Sequence, residues 1–131
     1  MKFAEFVCRD AVTTGMASSD RDGVIGELVD ALVAAGAVST DHRNSVLAAT
    51  IAREELGTTG IGHGVAIPHA KHPAVKQVVA TVGVSDQGID FGSLDSRPTR
   101  VFFLLISPPD APQDHPQALE RISKHLQEEL F

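Results

Sequence analysis

Tryptophan and tyrosine are absent, and cysteine occurs once, at Cys8. Without indole or phenol rings the core must rest on Val, Leu, Ile, Ala and the six phenylalanines. One thiol excludes an intramolecular disulfide framework. Nothing in the sequence suggests secretion, so the expected compartment is a reducing cytoplasm. Cys8 reads as a small hydrophobe, because neither a histidine nor a glycine-rich loop adjoins it to make a reactive thiolate. Basic residues are outnumbered, 11 Lys and Arg against 17 Asp and Glu, for a formal net charge of -6. That balance argues against non-specific nucleic-acid binding and against an anionic membrane surface, although it leaves room for a local basic patch. No apolar run approaches the ~20 residues of a membrane span, and the N-terminus has no apolar leader core.

What is present fits one domain over residues 1–131 with one core. Ser18-Ser19-Asp20 is an N-cap cluster. Behind it Val24, Ile25, Leu28, Leu32 and Val33 recur at helical spacing until Gly36, which predicts an amphipathic helix over about 20–35. Ser39-Thr40-Asp41 predicts a second helix running to Leu56, with Val46, Leu47, Ile51 and Leu56 as its apolar marks and Gly57 as its C-terminal stop. Residues 11–17 suggest an edge strand broken by Gly15. Val65-Ala66-Ile67 reads as a short buried strand. Residues 78–84 and 100–107 are near-continuous apolar runs, the pattern of strands buried on both faces. Asp86-Gln87-Gly88 reads as a turn before a short strand, Ile89-Asp90-Phe91. Asp114-His115-Pro116-Gln117 starts a last helix, with Leu119, Ile122, Leu126 and Leu130 as its stripe. The order predicts an α/β fold whose buried strands have helices on both faces.

One stretch draws the chemistry together: Gly57-Thr58-Thr59-Gly60-Ile61-Gly62-His63-Gly64-Val65-Ala66-Ile67-Pro68-His69-Ala70-Lys71. Proline pushes Ile67 towards an extended conformation. His69 should therefore sit at the exit of a rigid strand, where the chain turns. Arg53 ends the helix that leads into this stretch. His115 opens a helix just beyond the C-terminal end of strand 100–107, and sites in open α/β sheets gather at such ends. Loop N–H groups, with Gly62 and Gly64 as the phosphate-binding glycines, and a guanidinium able to hold two oxygens suit a phosphorylated imidazole. Lys71 reads as a solvated loop lysine.

Arg53-Glu54, Gly60-Ile61-Gly62, Gly64-Val65-Ala66-Ile67-Pro68-His69, Gly88-Ile89-Asp90-Phe91-Gly92-Ser93-Leu94-Asp95 and Asp114-His115-Pro116-Gln117-Ala118-Leu119 resemble the enzyme IIA domain of the fructose/mannitol class. This class belongs to the bacterial phosphoenolpyruvate-dependent sugar phosphotransferase system and includes a nitrogen-regulatory branch. The resemblance covers about residues 18–127. It implies a mixed sheet of about five strands flanked by helices on both faces. It implies a phosphotransferase component, a phosphocarrier, in which His69 accepts a phosphoryl group from the phosphorylated histidine-containing carrier protein and passes it to a cysteine of an enzyme IIB domain. It matches His115 to a second active-site histidine and Arg53 to the arginine that supports the phosphate. It implies no cofactor, no metal and no insertion into the membrane. The regulatory branch offers an alternative, in which phosphorylation of His69 controls binding to a target protein. Family members continue for a further helical segment past the position of Leu126, so a chain ending at Phe131 is expected to be shortened there.

A metal-dependent hydrolase is the remote alternative, with His63, His69, His72 and His115 as ligands. Spacings of six and three across a proline match no common zinc pattern, and Glu54 and Glu55 are expected on the helix, away from the loop.

Overall fold

The computed structural model describes residues 13–110. The elements are α1 (Arg21–Ala34), a 3₁₀ turn (Thr40–His42), α2 (Arg43–Leu56), β1 (Gly60–Gly62), β2 (Val65–Ala66), β3 (His69–Lys71), β4 (Val79–Ile89) and β5 (Thr99–Ser107). Cys8 and the helix expected from Asp114 onward, with His115, lie outside the described residues.

The expected cap of α1 is present: the Asp20 carboxylate accepts from the Gly23 N–H at 2.8 Å. A side chain at position 23 would meet that same carboxylate, at 2.7 Å. Val24, Ile25, Leu28, Val29 and Leu32 of α1 are fully buried. Each contributes about 1.5–3 kcal/mol of transfer free energy, which outweighs the roughly 1 kcal/mol that each of Gly23 and Gly26 costs the helix. The second helix starts differently from expectation. Ser39 leads into the 3₁₀ turn, and its hydroxyl meets the His42 Nδ1 at 2.7 Å instead of capping a backbone N–H. Arg43 then ties α2 to α1 through both oxygens of Asp30, at 2.7 and 3.2 Å. Leu56, read as a core mark, is 86% exposed because it falls on the last helical residue, past the packed face.

The five strands form one mixed sheet centred on β5, in agreement with the expected fold. β4 runs antiparallel along one edge of β5. Along the other edge β2 and β3 follow one another, both parallel to β5: Val65 and Ala66 pair with Val101 and Phe102, and His69, Ala70 and Lys71 with Leu105, Ile106 and Ser107. They amount to one strand interrupted at Ile67-Pro68. His69 therefore opens a strand rather than a turn. β4 is longer than expected because Asp86-Gln87-Gly88 is not a turn. The register shifts between Val84 and Ile89, and Gly88 takes a φ of 79° there, so the chain bulges and re-pairs at Ile89 with Thr99. Of the suggested strand at residues 11–17, the described part keeps one parallel bridge, Thr13 to Gly83.

Phe102, Leu104 and Ile106 of β5 pack with α1 and Phe91 in the core. The Phe91 and Phe102 ring centroids stand 5.2 Å apart. Phe103 and Leu105 are buried as well, so both faces of β5 are covered as its sequence predicts. On β4 the second face is only half-buried, at Val82 and Val84. Gly83 lets α1 approach this sheet: a Cβ there would lie 2.7 Å from both the Leu28 and Met16 side chains. Since both neighbours are buried, Gly83→Ala is expected to destabilise the fold by about 1–3 kcal/mol through overpacking. A urea midpoint shift at constant slope would measure it.

Candidate active site

The interrupted strand fixes His69. Pro68 has no N–H to give, but its carbonyl accepts from the Leu105 N–H at 3.0 Å, which keeps the break tight against β5. The His69 Nδ1–H donates to the Ile67 carbonyl at 2.7 Å. With the proton held on Nδ1, the lone pair of the neutral ring resides on Nε2. The imidazole is half-buried. Its basicity is lowered, chiefly by burial and further by the Arg53 charge, against the opposing influence of the Ile67 carbonyl and the Glu54 carboxylate.

Arg53 lies in the last turn of α2, which packs on β3. One of its guanidinium nitrogens, Nη1, donates to the Gly57 carbonyl at 2.9 Å, and four other N–H groups remain on the fork. Gly57 makes this possible with an extended backbone, φ 168°, instead of the left-handed stop expected of a glycine after a helix. Arg53, His69 and Lys71 line one shallow depression of ≈ 310 Å³, floored by Ala49 and Ala70. Exposed Lys71 thus adds positive potential at the same place. The structure brings Arg53 and His69 together as the sequence suggested; a small, open, cationic hollow beside an imidazole suits an anion.

Gly62 and Gly64, expected as phosphate-binding glycines, do not line this hollow. They form the β1–β2 turn with His63, at φ values of 95°, 58° and 79° for Gly62, His63 and Gly64. That turn is already occupied by an anion from within the chain: Asp95 accepts from the His63 N–H at 2.9 Å and from the Arg97 N–H at 3.1 Å. These backbone bonds hold the Asp95 carboxyl below the usual range. Gly64 is also five positions upstream of His69 along an extended path, roughly 16 Å at about 3.3 Å per residue.

The described histidines of the metal reading, His63, His69 and His72, are likewise dispersed. His63 sits in that distant turn. His72 accepts from the Ala74 N–H at 2.9 Å through Nδ1 and meets the Ser45 hydroxyl through Nε2 at 3.0 Å. Among the described residues no three His, Cys, Asp or Glu side chains come together to hold a metal ion.

Sequence reasoning missed Glu54. It expected this residue away from the loop, yet the side chain turns inward and is only 4% exposed. Its Oε2 accepts from the Thr59 N–H and its Oε1 from the Thr59 hydroxyl, both at 2.6 Å. A carboxylate one turn from a helix end, followed by Gly-Thr-Thr-Gly with its many donors, was the available signal.

The family described as "Phosphoenolpyruvate-dependent sugar phosphotransferase system, EIIA 2" matches residues 5–131. Over 109 residues the sequence is 38% identical to the fructose-specific EIIA component of Haloferax volcanii, covering 83% of this chain and 70% of that one. Over 129 residues it is 32% identical to a nitrogen regulatory protein of Bradyrhizobium diazoefficiens, covering 98% and 82%. The fold superposes on the nitrogen regulatory protein IIA-Ntr of Neisseria meningitidis with a TM-score of 0.82 at 27% identity, over 96% of this chain and 88% of that one.

Proposed function

Because the chain belongs to the EIIA 2 family of the phosphoenolpyruvate-dependent sugar phosphotransferase system, we propose that it is a phosphocarrier with His69 as the acceptor. The observation that carries this reading is the Nδ1–H bond to the Ile67 carbonyl beside the Arg53 guanidinium. In the forward step the Nε2 lone pair attacks the phosphorus of the phosphorylated carrier protein. The donor's N–P bond breaks, and its imidazole leaves with the electron pair. His69 then carries the phosphoryl group on Nε2 and keeps its proton on Nδ1, so the ring is cationic. Ile67 steadies that charge through the retained hydrogen bond. In the onward step a thiolate of an enzyme IIB domain attacks phosphorus, and the leaving group is neutral imidazole rather than the far more basic imidazolate. Holding the Nδ1 proton therefore serves both directions. Arg53 meets the equatorial oxygens, whose charge is the main feature to be stabilised in phosphoryl transfer. His115 is the second histidine that the family resemblance assigns to the site.

The test is incubation with phosphoenolpyruvate, enzyme I and the carrier protein, followed by intact mass. One acid-labile phosphoryl group on the protein is expected; its absence would overturn the reading. Addition of a IIB domain separates the two roles. Discharge of the phosphoryl group onto IIB marks transport, whereas a stable phosphoprotein with altered affinity for a target marks regulation; relatives of both kinds match this chain.

The neutral ring is the attacking form. Burial, and then Arg53, hold its basicity below the ordinary value of about 6.5. An NMR titration of His69 should accordingly give a midpoint below about 6.5. Phosphoryl acceptance from pre-phosphorylated carrier should then remain level as pH falls through neutrality, and decline only as the ring itself protonates.

A further inference from the structure

Ile67 is the residue whose carbonyl orients the acceptor ring, yet its own N–H lies outside the β5 ladder. The parallel pairing breaks between Ala66 and His69. Instead the Ile67 N–H reaches the Thr59 carbonyl at 3.1 Å. Thr59 is 6% exposed and is gripped at two points by the Glu54 carboxylate. The bonds thus run from Glu54 to Thr59, from Thr59 to Ile67, and from Ile67 to His69 Nδ1. A buried carboxylate is costly to desolvate, and the two charge-assisted bonds that offset this cost both go to one residue of this path.

We propose that Glu54 is a positioning residue for His69: its carboxylate fixes Thr59, Thr59 fixes Ile67, and the Ile67 carbonyl thereby holds the acceptor ring in its Nδ1–H tautomer. The path does not transmit charge bond by bond, because each step enters a different peptide unit. It works by geometry. Loss of the Glu54 grip frees Thr59, the Ile67 carbonyl is no longer aimed, and the ring relaxes toward the Nε2–H tautomer that an imidazole without such a partner prefers. That tautomer places the proton on the atom that must attack. The inference rests on His69 being the acceptor for its consequence in transfer, but not for its structural content.

The experiment is ¹⁵N NMR of the His69 ring in the unphosphorylated protein, which reads the tautomer directly, alongside the rate of phosphoryl acceptance. Glu54→Ala is expected to shift His69 toward the Nε2–H form and to slow acceptance roughly tenfold or more, the scale of a misplaced reacting group. Glu54→Gln, whose amide oxygen can accept from the Thr59 N–H while its NH2 donates to the Thr59 hydroxyl, is expected to recover the Nδ1–H form. If Glu54→Ala does not fold, Thr59→Val removes the hydroxyl bond alone and should shift the tautomer part of the way. A folded Glu54→Ala, or failing that a Thr59→Val, with the wild-type tautomer would overturn the proposal. Wild type that accepts no phosphoryl group would overturn the acceptor reading, and the tautomer measurement would still decide the role of Glu54.

Discussion

His69→Gln is expected to lose phosphoryl acceptance by on the order of 10⁶-fold, the scale on which deletion of a nucleophile acts. The amide can still donate to the Ile67 carbonyl, so the local geometry of the strand break survives. What it lacks is a basic nitrogen lone pair directed at phosphorus. Because the imidazole is only half-buried, the accompanying change in stability should stay within about 1 kcal/mol. Intact mass over time, with a thermal unfolding curve beside it, separates the two quantities. Unchanged labelling in a folded His69→Gln would move the acceptor to another histidine and remove the basis of the mechanism.

Arg53→Ala is expected to slow acceptance by about 10²–10³-fold, as removal of one group that stabilises transition-state charge does elsewhere. The lost hydrogen bond to the Gly57 carbonyl contributes about 0.5–1.5 kcal/mol to stability at most, too little to account for such a rate effect. Arg53→Lys should fall between, since an ammonium cannot hold Gly57 and two phosphoryl oxygens with one planar fork. The variant also carries a signature in pH. Arg53 lowers the basicity of His69, so its removal should raise the ring's midpoint and make acceptance fail earlier as the medium is acidified. Stopped mixing with phosphorylated carrier at two pH values would read both effects. A rate within threefold of wild type, as a rough bound, would show that the guanidinium serves only the helix end.

Elements whose pattern is local were legible in the sequence. Asp20 and the apolar spacing behind it gave α1, and the unbroken run 100–107 gave β5 as the doubly buried strand. The pairing of Arg53 with His69 followed from a helix end and a strand end flanking one loop. Other features depended on contacts that no local pattern contains. The carboxylate of Asp95 fills the Gly62–Gly64 turn from thirty-odd residues away, so glycines that look like an anion cradle are already satisfied. Glu54 was placed on the helix, away from the loop, because charge predicts exposure unless a buried partner such as Thr59 is known. Asp86-Gln87-Gly88 has turn chemistry, but pairing with β5 on both sides absorbs it as a bulge. Pro68 correctly marked a break, and only the register against β5 reveals that the chain resumes pairing at once with His69.

That immediate resumption bears on how the protein meets its partners. His69 is zippered to Leu105, a fully buried position on the central strand, so the imidazole can be displaced only by openings that disturb the core itself. The Leu105 amide, directly beneath a surface site, should exchange with solvent nearly as slowly as the most protected amides of β5. The entropy of arranging the acceptor has been spent when the chain folds, not when a donor arrives. If His69 is the acceptor proposed above, encounters can then be brief: little interfacial ordering is demanded of a partner, and a complex that forms weakly and separates quickly suits transfer from a donor to a recipient in turn.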